Sequence, residues 1–479
     1  MKRDLDQLSG RTFDILVVGG GIYGLTIAYD AAQRGLSVAL IEREDFGSGT
    51  SFNHLRTIHG GLRYLQTLDL ARARESVRER RTLAIIAPDF VRPQRFVLPL
   101  GSSLMRGPLA MRAGFALDAL VASDRNAGVP NTHRLPAGRV VGGAAVWYDY
   151  VTTEADRLTF SFGLAAAGHG AVLANYVEAT APVVESGRVT GVHAVDRQTG
   201  RELDVAARIT VNATGANVNR LIGLVAPASR PIPMLQAMNL ITHRQAADEA
   251  RGGQSAAGRT LFLVPWRERA LFGTWEADRI CDPADPGATT IAEADIAAFV
   301  GQVNEAFPAM QLQLTDIALV QRGVVPAAVN NGSVALEGHE RVIDHGAQGI
   351  EGLLSVSGTK YTTARGVAER VTDRLLGKLK RPRVPCRTHT TPLPKEGIRR
   401  PGPVADDEFV RAVRTEMAMT LSDVVIRRTP FGVLGHPGDA ALEHAAAVVA
   451  AAAGWSDDRR RSEVEATKRF YGTLNALKT

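Results

Sequence analysis

The stretch from Asp14 to Glu42 constrains the fold of this 479-residue chain more than any other. Asp14-Ile15-Leu16-Val17-Val18 is a short apolar run rich in β-branched residues, the pattern of a strand buried in a parallel sheet. Gly19-Gly20-Gly21-Ile22-Tyr23-Gly24 follows at once and fits G-x-G-x-x-G. Leu25 to Arg34 then reads as a helix, and Ser37-Val38-Ala39-Leu40-Ile41 as a second buried strand that ends on Glu42. Gly19 permits the tight turn, Gly21 lets the backbone approach a pyrophosphate, and Gly24 lets the helix lie close on the sheet. The helix N-terminus offers free N–H groups and partial positive charge to phosphates. Glu42 stands where a carboxylate accepts hydrogen bonds from a ribose and repels a 2′-phosphate. A glycine fingerprint with the strand before, the helix after and the acid beyond points to a dinucleotide site rather than an ordinary glycine-rich loop.

Two later segments share the strand–glycine–helix form: Thr210-Val211-Asn212-Ala213-Thr214-Gly215, and Leu353-Leu354-Ser355-Val356-Ser357-Gly358-Thr359-Lys360 with a helix from Thr363 to Leu376. The economical reading is that all three bends close around one ligand. Between them, Val172 to Glu178 reads as a strand, and Pro182–Gly187, Val189–Val195 and Leu203–Ile209 as a small antiparallel meander. A helix is expected from Leu68 to Ala87, stopped by Pro88. Residues 89–150 read as short strand-like runs and loops. Residues 230–330 read as largely antiparallel, with strands at Ala237–Thr242, Thr260–Pro265, Ala270–Trp275 and Ile317–Pro326 and a helix from Ile291 to Ala306.

The expected organisation is a discontinuous dinucleotide-binding domain (1–90, 150–225 and 350–380), a substrate or cap domain (91–149 and 226–349), a proline-marked linker (381–404) and a C-terminal helical domain (405–479). The fold class is α/β: a Rossmann-like binding domain, a largely antiparallel β substrate domain and a helical tail with helices at Asp407–Thr420, Ala440–Ala453 and Asp457–Ala476.

Composition narrows the function classes. With 45% hydrophobic and 22% charged residues the chain reads as an ordinary globular protein. Its two cysteines, Cys281 and Cys386, form no CxxC pair and no metal-ligand spacing, so no metal site and a reducing compartment are expected. The first residues lack an apolar core and no run is long enough to span a membrane, so the expected location is cytoplasmic. Net charge is +6, with arginines clustered at Arg72, Arg74, Arg78, Arg80 and Arg81. A solvated helix face with interleaved Glu75 and Glu79 is the plain reading; attraction to anionic lipid headgroups or an anionic substrate is the alternative. No nucleic-acid motif is present.

Across nearly its whole length the chain resembles the FAD-dependent glycerol-3-phosphate dehydrogenases, within the wider D-amino-acid-oxidase fold group. The resemblance rests on Asp14–Glu42, Ile58-His59-Gly60-Gly61-Leu62-Arg63-Tyr64-Leu65, Asn212-Ala213-Thr214-Gly215, Leu354 to Thr363, and, in the tail, Arg411 to Leu421 with Arg427-Arg428-Thr429. The His-Gly-Gly-Leu-Arg-Tyr stretch is far more specific than the glycine fingerprint. The resemblance selects FAD. It implies that Gly19, Gly21 and Gly24 hold the pyrophosphate and Glu42 the adenosine ribose. Thr50 and Ser51 would reach phosphate or the ribityl chain, and the backbone of Val177 would lie by the adenine. Gly215 would close over the dinucleotide, Gly60, Gly61 and Leu62 would lie along the isoalloxazine, and Gly358, Thr359, Lys360 and Tyr361 would face its pyrimidine edge. The implied chemistry is hydride transfer from a carbinol C–H to flavin N5, with Arg63 and Lys360 placing positive charge near substrate oxygens and Tyr64 beside them.

Three departures from the family pattern bear on the substrate. Where the family has Gly-Val-Arg-Pro, with an arginine on the substrate phosphate, this chain reads Gly323-Val324-Val325-Pro326. A second expected arginine falls near Gly338, and an expected histidine on the Ala237–Thr242 strand is Asn239. Arg322 replaces the lost charge only if its strand slips by one residue. His243 shares strand parity with Asn239 and is a candidate base. Trp275 caps a pocket for a less polar substrate or packs in the core. The expected function is FAD-dependent oxidation of a secondary alcohol, with glycerol 3-phosphate or a related polyol derivative as reference substrate and a quinone or another acceptor taking the electrons, on or off a membrane surface. The alternatives are an amine or amino-acid oxidase using O₂ and a catalytically silent flavin-binding protein.

Overall fold

A computed structural model describes residues 1–62, 64, 68–101, 107–285, 287–394 and 404–472. Two sheets organise it. In the first, parallel strands lie in the order Leu353–Ser357, Glu202–Asn212, Phe13–Val18, Val38–Ile41, Val172–Ala174. Every residue of Phe13–Val18 and Val38–Ile41 is buried, as strands covered on both faces require. Arg341–Asp344 adds an antiparallel edge. Glu202–Asn212 serves twice: residues 207–212 pair with Phe13–Val18, and residues 202–206 pair with Arg188–Asp196, which forms a hairpin with Val177–Glu185. The helix Ile22–Gln33 packs against helices Ala155–Gly168 and Ala364–Lys378, and Leu25, Tyr29, Phe160, Phe162, Val367 and Val371 join one core with Ile15 and Val17.

The second sheet runs Ser333–Leu336, Ile317–Asn330, Met234–Thr242, Arg269–Ile280, Thr260–Trp266, Ala250–Gln254, Val91–Pro99, Ala144–Thr152, Thr57–Ile58, and is antiparallel except where Ala250–Gln254 meets Val91–Pro99. Its outer face, with Met238, Leu240, Leu263, Phe272 and Trp275, packs under the helix Glu293–Ala306. Its inner face, with Ile241, Val264, Trp266, Leu271 and Leu319, meets Phe52 and Leu55 and the C-terminal unit's Leu421, Val425, Leu442 and Val449. Alternation along the strands therefore separates a covered face from the one that looks towards the first sheet.

The C-terminal helices Asp406–Thr415, Asp439–Ala453 and Asp457–Tyr471 flank a π-turn at Asp423–Arg428. That segment is anchored on the loop after Val38–Ile41 and on the helix Ala155–Gly168: Arg427 and Arg428 both bind the fully buried Asp45, at 2.7 Å and 2.5 Å, and Arg157 pairs with Glu416 at 2.7 Å.

Several expected elements differ. Residues 89–150 hold two nine-residue strands, Val91–Pro99 and Ala144–Thr152, and a helix, Pro108–Val121. That helix buries only Met111 and Phe115, so no apolar stripe of helical period marked it. The expected strand Val172–Glu178 breaks at Tyr176, whose φ is +54°, and its halves pair with different strands of the first sheet, Val38–Ile41 and Arg188–Asp196. The tail helix expected to reach Thr420 stops at Thr415, and the one expected to reach Ala476 is described to Tyr471. Of the expected linker, residues 395–403 lie outside the described residues.

Candidate active site

The first glycine turn is built by contact distances. A Cβ on Gly24 would lie 1.8 Å from the Gly19 carbonyl oxygen, and one on Gly19, at φ +108°, would lie 2.4 Å from that of Ala213. Only glycine lets the helix, the turn and the neighbouring strand approach this closely. The helix Ile22–Gln33 starts at Gly21 without a side-chain cap; its Ile22 N–H is taken by Ser51 Oγ at 2.9 Å. Uncapped first-turn N–H groups with the helix dipole behind them make an anion cradle. Glu42 accepts from the Gly20 and Glu44 N–H groups, at 2.6 Å and 2.9 Å, while burial raises its carboxyl above the ordinary range. Gly19, Glu42, Val177 and Thr214 line one cleft together with Arg43, Glu178 and Arg220. Gly215, with φ +59°, turns the chain beside it. Cradle, acid and cleft fit the pyrophosphate and adenosine parts of FAD.

The second assembly joins residues that the sequence keeps far apart. Lys360 Nζ donates to Ser76 Oγ and stands over the Tyr64 ring, 4.5 Å from its centroid. Gly61, at φ +82°, packs on Ser76 and Tyr64. Tyr23 Oη donates to the Lys360 carbonyl (3.1 Å), and Thr359 Oγ1 to that of Glu337 (2.8 Å). A Cβ on Gly358 would strike the Tyr23 hydroxyl oxygen, at 2.4 Å. Tyr361 shares a hydrogen bond with Thr159 (3.0 Å), and its ring lies 4.7 Å from that of His54. Leu62 is half-buried in the same turn as Gly60 and Gly61. Arg63 lies outside the described residues.

One stripe of the helix Leu70–Ile86 backs this turn. Arg72, Ser76 and Arg80, spaced by four, are all buried. Arg72 stands 5.2 Å from the Tyr64 ring centroid and 2.8 Å from His339 Nδ1. Arg80 pairs with the buried Asp149, whose Oδ1 also accepts from the Gly60 N–H (2.7 Å). Asp149 Oδ2 faces His59 Nδ1 at 3.6 Å. Burial works against the charge on Asp149, but Arg80 and His59 outweigh it and hold the carboxyl below its usual range. These arginines do not form the solvated face expected of them. Arg74 and Arg81, further round the helix, share Asp124. The four-residue spacing of Arg72, Ser76 and Arg80 was the available signal.

The inner face of the second sheet forms the opposite wall. Asn239 pairs across with Gln321, Ala237 with Gly323 and Leu235 with Val325, without a register break over these rows. Directly opposed residues share a face. A Cβ on Gly323 would lie 2.4 Å from Thr50 Cγ2, so this row looks at the Thr50–Leu55 loop. Asn239 Oδ1 accepts from Thr274 Oγ1 at 3.0 Å.

Three expected site residues are elsewhere. Arg322 projects to the outer side, where its Nε donates to the Thr289 carbonyl at 3.0 Å; the strand has not slipped. Trp275 is 6% exposed and packs in the outer core with Phe299 and Val303, so it caps no pocket. His243 lies past a register shift between Ile241 and Thr242, exposed at the strand end beside Arg269, 3.1 Å from its Nδ1. The extra residue, Ala318, belongs to the partner strand, so parity along Met234–Thr242 holds; His243 fails its expected role because the strand ends at Thr242 and its side chain lies in solvent.

Residues 14–374 match the FAD dependent oxidoreductase family, and residues 382–460 match the C-terminal domain of alpha-glycerophosphate oxidase. The chain belongs to the FAD-dependent oxidoreductase family. It is 31% identical over 425 residues to a glycerol-3-phosphate dehydrogenase of Synechocystis sp., covering 82% of this chain and 75% of that protein. It is 33% identical over 383 residues to glycerol-3-phosphate dehydrogenase 2 of Mycobacterium tuberculosis, covering 77% and 63%. It is 30% identical over 399 residues to the mitochondrial glycerol-3-phosphate dehydrogenase of Mus musculus, covering 75% and 52%. The chain thus spans about half to three quarters of these relatives. The fold is shared with the glycerol-3-phosphate dehydrogenase of Bacillus halodurans solved in complex with FAD, at TM-score 0.71 and 22% identity over 98% of this chain and 96% of that one. This member of the family is an FAD-dependent, glycerol-3-phosphate-dehydrogenase-like oxidoreductase acting on CH–OH.

Proposed function

We propose that this enzyme oxidises a secondary alcohol on a polyol derivative whose distal end is neutral, rather than glycerol 3-phosphate itself. The observation that carries the proposal is the inner-face row Ala237, Asn239, Gln321, Gly323, Val325, which holds no cation. A charge-assisted hydrogen bond contributes about 1.5–3 kcal/mol, so a phosphate placed against this wall forfeits a large part of its binding energy. Arg56, behind Gln321, is occupied by Asp156 (3.6 Å) and by the Trp266 ring (4.5 Å).

FAD, when bound, supplies the hydride acceptor. The chain supplies the rest. The Lys360 ammonium, held by Ser76 over Tyr64, is placed to neutralise charge on a substrate oxygen. Asn239 offers an amide to orient a hydroxyl but has no basicity for its proton. His59 is backed by Asp149 through Nδ1, which leaves Nε2 to accept the hydroxyl proton. The amine-oxidase alternative is weaker, because the named relatives are dehydrogenases of an alcohol. The test is a panel of phosphorylated and unphosphorylated polyols assayed with a dye acceptor. The reading requires higher kcat/KM for the unphosphorylated compounds and fails if glycerol 3-phosphate leads the panel.

Peripheral attachment to a membrane, with a quinone as electron acceptor, is the second part of the reading. Among the described residues no helix is long and apolar enough to cross a bilayer. The helix Pro108–Val121 turns Leu109 (80% exposed) and Leu120 (76%) outward, with Arg112, Ala113 and Ala116 exposed between them. An apolar face carrying a cation suits an anionic lipid surface. Flotation with anionic vesicles should carry the protein up, and Leu109→Gln with Leu120→Gln should leave it behind; equal flotation of both counts against it.

A further inference from the structure

His54 carries a donor that the described residues leave unused. Its Nδ1 accepts the Arg56 N–H at 3.0 Å. Burial, with the Arg56 and His59 charges, pushes the imidazole down to about 3, so the ring is neutral throughout the working range. A neutral imidazole with Nδ1 accepting must carry its proton on Nε2. The residue as a whole is half-buried, yet Nε2 is closed off from solvent and has no hydrogen-bond partner among the described residues. A buried unmade donor is destabilising, and native proteins rarely leave one without a ligand or water.

The position says which ligand. The His54 ring lies against Tyr361, in the Gly358–Tyr361 turn, with centroids 4.7 Å apart. On its other side the backbone is clasped by the cap sheet: with its amide turned so that both ends are satisfied, Gln321 donates to the His54 carbonyl (3.3 Å) and accepts from Arg56 Nη2 (3.1 Å). His54 thus stands where the two walls of the site meet. It lies on the stretch that runs from Thr50 and Ser51 to Gly60–Leu62. The neighbouring Asn53 has a second closed-off atom, Oδ1, while its Nδ2 donates to the Arg322 carbonyl at 3.0 Å.

We propose that His54 binds the cofactor, its Nε2–H donating a hydrogen bond to a carbonyl oxygen on the pyrimidine ring of FAD. This rests on the family assignment of FAD. The donor is uncharged, so it strengthens as negative charge gathers on the reduced ring without titrating in the working range. It gives the fold a neutral donor that favours the reduced cofactor, distinct from the cation that Lys360 offers the substrate.

The test compares His54→Phe, which keeps a ring against Tyr361 but removes the N–H, with His54→Gln, which restores a donor. The full-length apoprotein is reconstituted with FAD, and both the FAD Kd and the flavin midpoint potential are measured. His54→Phe should weaken FAD binding about ten-fold, the loss of one buried hydrogen bond, and move the potential to a more negative value; His54→Gln should recover most of both. The proposal is overturned if folded His54→Phe matches the wild type in both, if His54→Gln is as impaired as His54→Phe, or if only the KM for substrate moves. Wild-type protein that takes up no FAD would instead overturn the cofactor assignment.

Discussion

Lys360 sits with its ammonium 4.5 Å above the centre of the Tyr64 ring and in contact with Ser76 Oγ. Three segments, separated by as many as 296 positions in the chain, meet at that point. A charge held in this way is pre-positioned for a substrate oxygen instead of ranging through solvent.

Lys360→Met should retain bound FAD and lower kcat/KM about ten- to one-hundred-fold, the value of one charge-assisted bond. Lys360→Arg should not restore it, since a planar fork replaces a compact ammonium at the Ser76 hydroxyl. Flavin content and steady-state kinetics check both; loss of flavin in Lys360→Met would make the residue structural.

Val325→Arg should recreate a phosphate site. Val325 shares the inner face with Gly323 and Asn239 and is only half-buried, so a longer side chain has room to reach the cleft. The variant should raise kcat/KM for glycerol 3-phosphate about ten-fold or more relative to unphosphorylated polyols. An unchanged ratio would mean that the substrate does not approach this row.

Gly24→Ala places a Cβ 1.8 Å from the Gly19 oxygen, backbone against backbone. The helix must lift from the turn, at a cost of about 1–3 kcal/mol for overpacking. The expected result is protein that purifies without flavin and unfolds at lower urea. A yellow variant of normal stability would contradict the account of the turn.

Acid should loosen the C-terminal unit. Burial alone would raise the Asp45 carboxyl, but Arg428 and Arg427 outweigh it and hold it below its ordinary value. A depressed carboxyl stabilises the fold above its unfolded pKa of about 4, and that gain is lost as the pH falls through the lower folded value. The urea midpoint of the wild type should therefore drop as the pH is taken from about 5 downward. Asp45→Asn should be about 3–5 kcal/mol less stable at neutral pH, because two buried guanidinium groups lose the carboxylate they share and only Asp423 still pairs with Arg427, and should show a flatter acid limb. Denaturation at several pH values reads both.

What could be read in the chain was whatever has a short-range signature. Asp14–Glu42 announces its strand, turn and helix because glycine spacing and β-branched runs act within a few residues. The turns at Gly215 and Gly358 were legible for the same reason. Side-chain direction over longer spans was not. The end of the strand at Thr242 left His243 in solvent beyond the row of Asn239, and Trp275 packed into the outer core. The helix Pro108–Val121 escaped notice because it buries so little, and Arg72 and Ser76 because their partners, His339 and Lys360, lie more than 260 positions away. The neutral His54 donor depends on a tautomer set by Arg56 two residues on, which no residue pattern reveals.

We expect this protein, loaded with FAD, to take a hydride from a neutral secondary alcohol. Anaerobic titration of the FAD-loaded enzyme, followed by loss of the flavin's long-wavelength absorbance, tests it directly. Unphosphorylated polyols should bleach the flavin stoichiometrically, with glycerol 3-phosphate needing far higher concentrations. Bleaching by glycerol 3-phosphate at low concentration while the neutral polyols leave the colour untouched would overturn the proposed neutral substrate.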